Sequence, residues 1–237
     1  MKLGLTNSLG RYFSGAWDPS NISDLKAWYK NDTDILEGAS DPAENGDNVT
    51  QWSDQSGFNN HLTAPDNFWQ YDSSTGGVVS EEASNDKLHL TTQLNFTGEF
   101  SMYIRVQFTT ISSGATDLFF YDKDSSSTDF FRIQSSSEIR GKINNSTKIG
   151  FTTTVETGQF YNIGVERNSS NRVDVYVNGT LQTQITTTGY HVGVLSGTLD
   201  IDAIGGSLDG IIKEIVISSS ALSVSDRTNL QTYLNNI

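Results

Sequence analysis

At 237 residues the chain is long enough for one large all-β domain or two small ones. Its 12 Phe, 9 Tyr and 4 Trp supply core material that a disordered chain lacks, and the absence of Cys excludes disulfides and thiolate chemistry. A net charge of −13 argues against nucleic acid, and no run approaches the ~20 apolar residues of a membrane helix. The N-terminus has no unbroken apolar stretch, so no cleaved secretory leader is expected. Acidity is concentrated early: residues 1–100 carry 15 acidic and 5 basic side chains, which favours a basic partner or bound cations there.

Residues 1–20 set Leu3, Leu5, Leu9, Tyr12, Phe13 and Trp17 among Gly, Ser and Asn without a sustained period. They read as an arm that docks on its own domain or on a neighbour, ahead of a single domain over 21–237. From Phe100 to Phe108 every even position is apolar, which predicts a strand with Phe100, Met102, Ile104, Val106 and Phe108 on one face. Shorter strands are expected at Asp117–Tyr121, Phe130–Gln134, Glu138–Ile143 and Leu199–Ile204. The same alternation turns Tyr161, Ile163 and Val165 inward, and likewise Val173, Val175 and Val177. Asn178-Gly179 is a two-residue hairpin turn that folds Arg172–Val177 back on Thr180–Ile185. Ile211–Ile217 is apolar on both faces, as a central strand covered on both sides would be. At the end, Ser223 or Ser225 caps a helix whose Leu230, Tyr233, Leu234 and Ile237 share one face, expected to pack on the rim of the strands. Many short strands with closely spaced turns predict a sandwich or jelly roll.

Three ordered segments carry a resemblance. Leu25-Lys26-Ala27-Trp28-Tyr29 is followed by Trp52-Ser53-Asp54-Gln55-Ser56-Gly57; Phe160–Arg167 is followed by Val173-Asp174-Val175-Tyr176-Val177-Asn178-Gly179; and Asp209–Ile217 is followed by Ala221-Leu222-Ser223. Together they resemble the LamG-like branch of the concanavalin A-like lectin/glucanase superfamily. The resemblance implies an antiparallel β-sandwich jelly roll with a short C-terminal helix. It puts Phe160 where the family often has a core Trp, and it makes Glu214 a structural residue bonded to backbone. The layout from the arm into the Trp52 motif also resembles virion structural proteins of marine tailed phages.

Candidate chemistry is sparse. A retaining glycosidase needs two carboxyl groups about 5 Å apart; the pairs Asp122/Asp124, Asp200/Asp202 and Glu81/Glu82 fit solvated turns equally well, and the family's glucanase carboxylate strand is missing. His61, His89 and His191 are scattered, with no nucleophile elbow and no zinc-ligand spacing. Ca²⁺ is the one cofactor the pattern admits: Asp122, Asp124 and Asp129 offer hard oxygens on one loop, where the family often holds Ca²⁺ on its rim, against the alternative of a solvated Asx turn. Trp69, Tyr71 and Tyr190 are candidates either for stacking a sugar or for packing. Trp52 and Asp54 read as a core ring and a carboxylate that ties down the Ser56-Gly57 turn. Eight Asn-x-Ser/Thr sequons read as by-products of an Asn/Ser/Thr-rich surface. The expectation is a non-enzymatic structural protein on a tailed-phage virion, decorating the capsid or attached to the tail and docked by its arm. Its partners would be other virion proteins, its own copies in a trimer, or a glycan; the alternative is a carbohydrate-binding module.

Overall fold

A computed structural model of the chain describes residues 16–65, 69–80, 87–111 and 118–237. Two antiparallel sheets face one another. Sheet I runs in the order β15 (Thr180–Leu181), β14 (Val173–Val177), β13 (Phe160–Arg167), β8 (Phe100–Phe108), β17 (Gly210–Ser218), β6 (Gly77–Ser80), β5 (Gln70–Asp72), and β1 (Leu25–Tyr29) also pairs with β17. Sheet II runs β12 (Ile149–Thr152), β11 (Glu138–Lys142), β10 (Phe130–Ser135), β9 (Leu118–Tyr121), β16 (Leu199–Ile204), β7 (Leu88–Phe96), β4 (Leu62–Thr63), β3 (Gln51–Trp52), β2 (Ile35–Leu36). Every strand expected from Phe100 onward is present, and all but the second hairpin arm end within a residue or two of the expectation wherever those ends are described.

Alternation builds the core. Phe100, Met102, Ile104, Val106 and Phe108 all lie in the inter-sheet cluster at 0% exposure. Rings meet across the gap: Phe100 and Phe131 have centroids 6.2 Å apart, Phe108 and Phe119 6.0 Å. The hairpin turn is as expected, with Asn178 at φ 49° and Gly179 at φ 78°, the left-handed pair a type I′ turn requires. Its second arm is shorter than expected. Only Thr180–Leu181 pairs with β14; the Thr152 N–H then donates to the Thr183 carbonyl, so the chain crosses from one sheet to the other's edge strand.

The C-terminal helix α1 (Val224–Asn235) has Ser223 as its N-cap, whose hydroxyl accepts the Asp226 N–H. It corrects one expectation: α1 lies on the outer face of sheet I, not on the rim. Leu230 and Leu234 are fully buried there with Trp28, Tyr103 and Val216, and Trp17 and Tyr233 pack against the same cluster. The reason lies in β17 and β1, whose outward residues Val216 and Trp28 are apolar and need a cover. Arg227 fixes the helix by two hydrogen bonds to Glu166 at 3.0 and 2.7 Å, while the Tyr103 hydroxyl donates to the same carboxylate. No helix among the described residues is long and apolar enough to cross a membrane.

Candidate functional site

The loop after β9 brings carboxylates together. One oxygen each of Asp122, Asp124 and Asp202 lies within 4.8 Å of the others. Asp129 is not in this group; burial pushes its carboxyl up, and it accepts the Asn144 N–H at 2.7 Å and the Thr128 hydroxyl at 3.1 Å. Asp202, 4% exposed on β16, stands in its place. A cation is already supplied from within: the Lys123 ammonium pairs with Asp202, lies 3.5 Å from Asp124, and its backbone N–H also donates to Asp202. Ca²⁺ would have to displace that ammonium and find further oxygens beyond these three, so the donor set does not fit a resident Ca²⁺. Adding millimolar Ca²⁺ or a chelator is expected to leave the melting temperature unchanged. A rise of several degrees with Ca²⁺ would overturn that reading.

Deeper carboxylates are committed to protein donors. Glu214, 0% exposed on β17, accepts the Asn31 N–H and Tyr233 hydroxyl at 2.7 Å each, and the Trp28 indole N–H. Burial pushes its carboxyl above the ordinary range and the three donors oppose the shift. Asp54 behaves as its turn position implies. Oδ1 accepts the Trp28 and Ser56 N–H groups at 2.8 and 2.9 Å; Oδ2 accepts the Asn60 N–H at 3.0 Å and the Ser56 hydroxyl at 2.7 Å. Trp52 is 0% exposed and its indole N–H donates to the Lys30 carbonyl. His61 accepts the Asp54 N–H and His191 pairs with the Val194 carbonyl, so both serve local turns.

Of the aromatic candidates, Trp69 is 1% exposed and Tyr71 9%, both in the core. Tyr71 donates to Asp32, and burial first, then that carboxylate, pushes its hydroxyl up to about 12. Tyr190 is half-buried, its hydroxyl bonded to Glu138 and Arg140 and its ring covered by Arg140 and Lys148. Trp69 and Tyr71 present no free face for a sugar, and the Tyr190 ring already carries two cations. What the sequence reading missed is an open cleft of about 450 Å³ at the sandwich side, lined by uncharged Thr152, Thr154, Tyr161, Asn178, Thr180 and Gln182. Its walls come from the end of β12 and the β14–β15 hairpin, brought together by the crossing of residues 182–185. Leu3, Leu5, Leu9, Tyr12 and Phe13 lie outside the described residues. Trp17, at the arm's end, stacks edge-on against Tyr233 with centroids 6.4 Å apart.

A family model for the concanavalin A-like lectin/glucanases superfamily matches residues 82–226. The chain belongs to this superfamily. The lectin-like sandwich extends beyond the matched range, because β1 completes sheet I against β17 and β2–β4 extend sheet II from β7. No curated protein matches the chain. Among solved structures it is similar to domain 4 of AbnA, a GH43 extracellular arabinanase from Geobacillus stearothermophilus, in complex with arabinotriose. The two are 16% identical with a TM-score of 0.56 over 88% of this chain and 98% of the other. It is also similar to the Trypanosoma rangeli sialidase in complex with sialic acid, at 12% identity and a TM-score of 0.57. A structure of botulinum neurotoxin type C, whose cell entry depends on interaction with two ganglioside molecules, matches at 14% and 0.54. This chain covers 33% of the sialidase and 51% of the toxin chain. At such identities the likeness is one of fold.

Proposed function

We propose that this lectin-like sandwich is a non-enzymatic structural protein of a tailed-phage virion, on the capsid or the tail, docked by its N-terminal arm. The observation that carries the non-enzymatic part is the state of the buried carboxylates. Glu214, Glu166, Asp54, Asp129 and Asp202 each accept bonds from the protein's own groups, which supports a structural role for all five. The docking part is supported by the arm itself, whose large apolar side chains precede a sandwich that already buries its own core. Deleting residues 2–15 stops short of Trp17, which packs on α1. That deletion is expected to leave the melting temperature within about 2 °C of the parent's while abolishing incorporation into particles. Unchanged incorporation would overturn the role of the arm.

A second reading, a carbohydrate-binding module, is supported by solved neighbours whose structures hold arabinotriose and sialic acid. It is also supported by the uncharged, hydroxyl- and amide-lined side cleft. A polysaccharide depletion assay tests it: retention on insoluble glycan without release of reducing ends is the expected result.

A further inference from the structure

The outer face of sheet I is only partly covered by α1, and beyond the helix it carries two cations on one aromatic ring. Arg105 on β8 alternates with the core residues Ile104 and Val106 and so points outward. Its guanidinium carbon lies 5.4 Å from the centre of the Phe160 ring on the adjacent β13, and the Lys213 ammonium on β17 lies 5.1 Å from the same ring. Phe160 thus departs from the expected core position; it is half-buried under these cations, because Tyr161 takes the inward place. Lys213 is aimed here by an irregularity. The register of β17 on β8 shifts between Ile212 and Glu214, so two consecutive side chains, Lys213 and Glu214, leave by the outer face.

Neither cation has an ion-pair partner among the described residues, a state they share with Lys26, Lys30, Lys142 and Lys148, but these two meet on one ring. Arg105 gives Nη1 to the Asn162 side chain at 2.7 Å, and its buried Nε has no acceptor among the described residues. Burial lowers the Lys213 ammonium below its ordinary range and the nearby Arg105 adds to this, while the Asp72 and Glu214 carboxylates oppose it. Asp72 and Glu214 act on Lys213 only from beyond ion-pair distance, so two like charges half-buried on one ring have no close anion among the described residues.

We infer that Arg105, Lys213 and Phe160 form a subsite for a single anionic group, carboxylate or sulfate, on an otherwise neutral glycan. The inference rests on the carbohydrate-binding reading. Overall charge decides against a polyanion: the remaining surface repels dense negative charge, while two fixed cations match one anionic group at close range. Gln107 beside the site donates to the Gly158 carbonyl, which leaves its Oε1 as an acceptor for a sugar hydroxyl.

The test is ligand-observed NMR on the full chain with glucuronate, glucose 6-sulfate, glucose, arabinotriose and triglutamate. Glucuronate, glucose 6-sulfate or both are expected to bind at least tenfold more tightly than glucose, and which of them binds identifies the group. K213M and R105Q are expected to weaken that binding about tenfold and K213E to abolish it. Melting temperatures report on folding, and the surface variants K213M and K213E decide if R105Q does not fold. Equal binding of glucose and glucuronate, binding that survives K213E, or triglutamate binding as tightly as the acidic sugars each overturns the subsite. Arabinotriose binding without acidic-sugar binding overturns the subsite and leaves the module reading standing. No binding by any sugar overturns both.

Discussion

Replacing Arg167 by alanine is expected to lower the unfolding free energy by about 3–5 kcal/mol, the range for emptying a large, fully buried site. Arg167 is 0% exposed, yet no carboxylate among the described residues pairs with it. Its charge is met by three backbone carbonyls: Nε donates to Gly98, Nη1 to Gly197 at 2.8 Å and Nη2 to Phe96 at 2.7 Å. Its guanidinium also lies 5.1 Å from the centre of the Phe100 ring. Phe96 ends β7 in sheet II, Gly98 lies in the turn to β8 in sheet I, and Gly197 precedes β16 in sheet II. One side chain therefore ties the two sheets together at that end. Alanine leaves a cavity and three carbonyls without their donor. Methionine fills much of the volume but restores no donor, so R167M separates the two costs and is expected to recover only part of the loss. Lysine, with one ammonium for three separated acceptors, cannot replace the fork. Calorimetry or urea denaturation is the measurement, and roughly 2–4 °C per kcal/mol implies a drop of about 6–20 °C. An alanine variant within about 1 kcal/mol of the parent would remove the staple from the account.

The position of Arg167 shows what was legible and what was not. Alternation through Tyr161, Ile163 and Val165 continues inward to residue 167, so the sequence already places an arginine on a core face. Its acceptors, 30 to 71 residues away, are set by how the sheets close. The long strands β8, β13 and β17 could be read because a half-buried antiparallel strand repeats every second residue, a local property. Strands β2 to β6 have two to four residues each, too short for any period to declare itself. Position was harder than identity. The helix was visible from its cap and apolar face, but its seat on sheet I depends on Trp28 and Val216, far apart in sequence. The acidic group shows the same limit: Asp122 and Asp124 share a loop, while Asp202, which replaces Asp129 among them, arrives on a strand 79 residues beyond Lys123. Phe160 was displaced from the core reading by the one-residue phase of β13, and the bulge at Lys213 has no sequence marker at all.

Asp54→Ala is expected to cost about 2–4 kcal/mol, the second-largest effect, and for a reason that a ligand-contact role would not produce. The carboxylate opens a short turn yet reaches back 26 residues to the Trp28 N–H on β1, in addition to the Ser56 and Asn60 N–H groups. Trp28 N–H and Asn60 N–H are bonded in a buried setting, so removing their acceptor leaves donors that water does not readily reach, at about 1–3 kcal/mol each before relaxation. The Ser56 N–H lies nearer solvent and contributes less. Asparagine keeps one acceptor oxygen, which can still serve Trp28 and Ser56, but it presents an NH₂ to the Asn60 N–H and the Ser56 hydroxyl. D54N is therefore expected to fall between alanine and the parent. The damage should extend along β1: Trp28 gives its side chain to Glu214 and lies beneath α1, so loosening its backbone relaxes the helix seat. Native-state hydrogen exchange is the discriminating measurement, with faster exchange expected at Trp28, Asn60 and the buried face of α1. A D54A variant of parental stability, with altered exchange confined to the Ser56-Gly57 turn, would show that Asp54 does not couple the turn to sheet I.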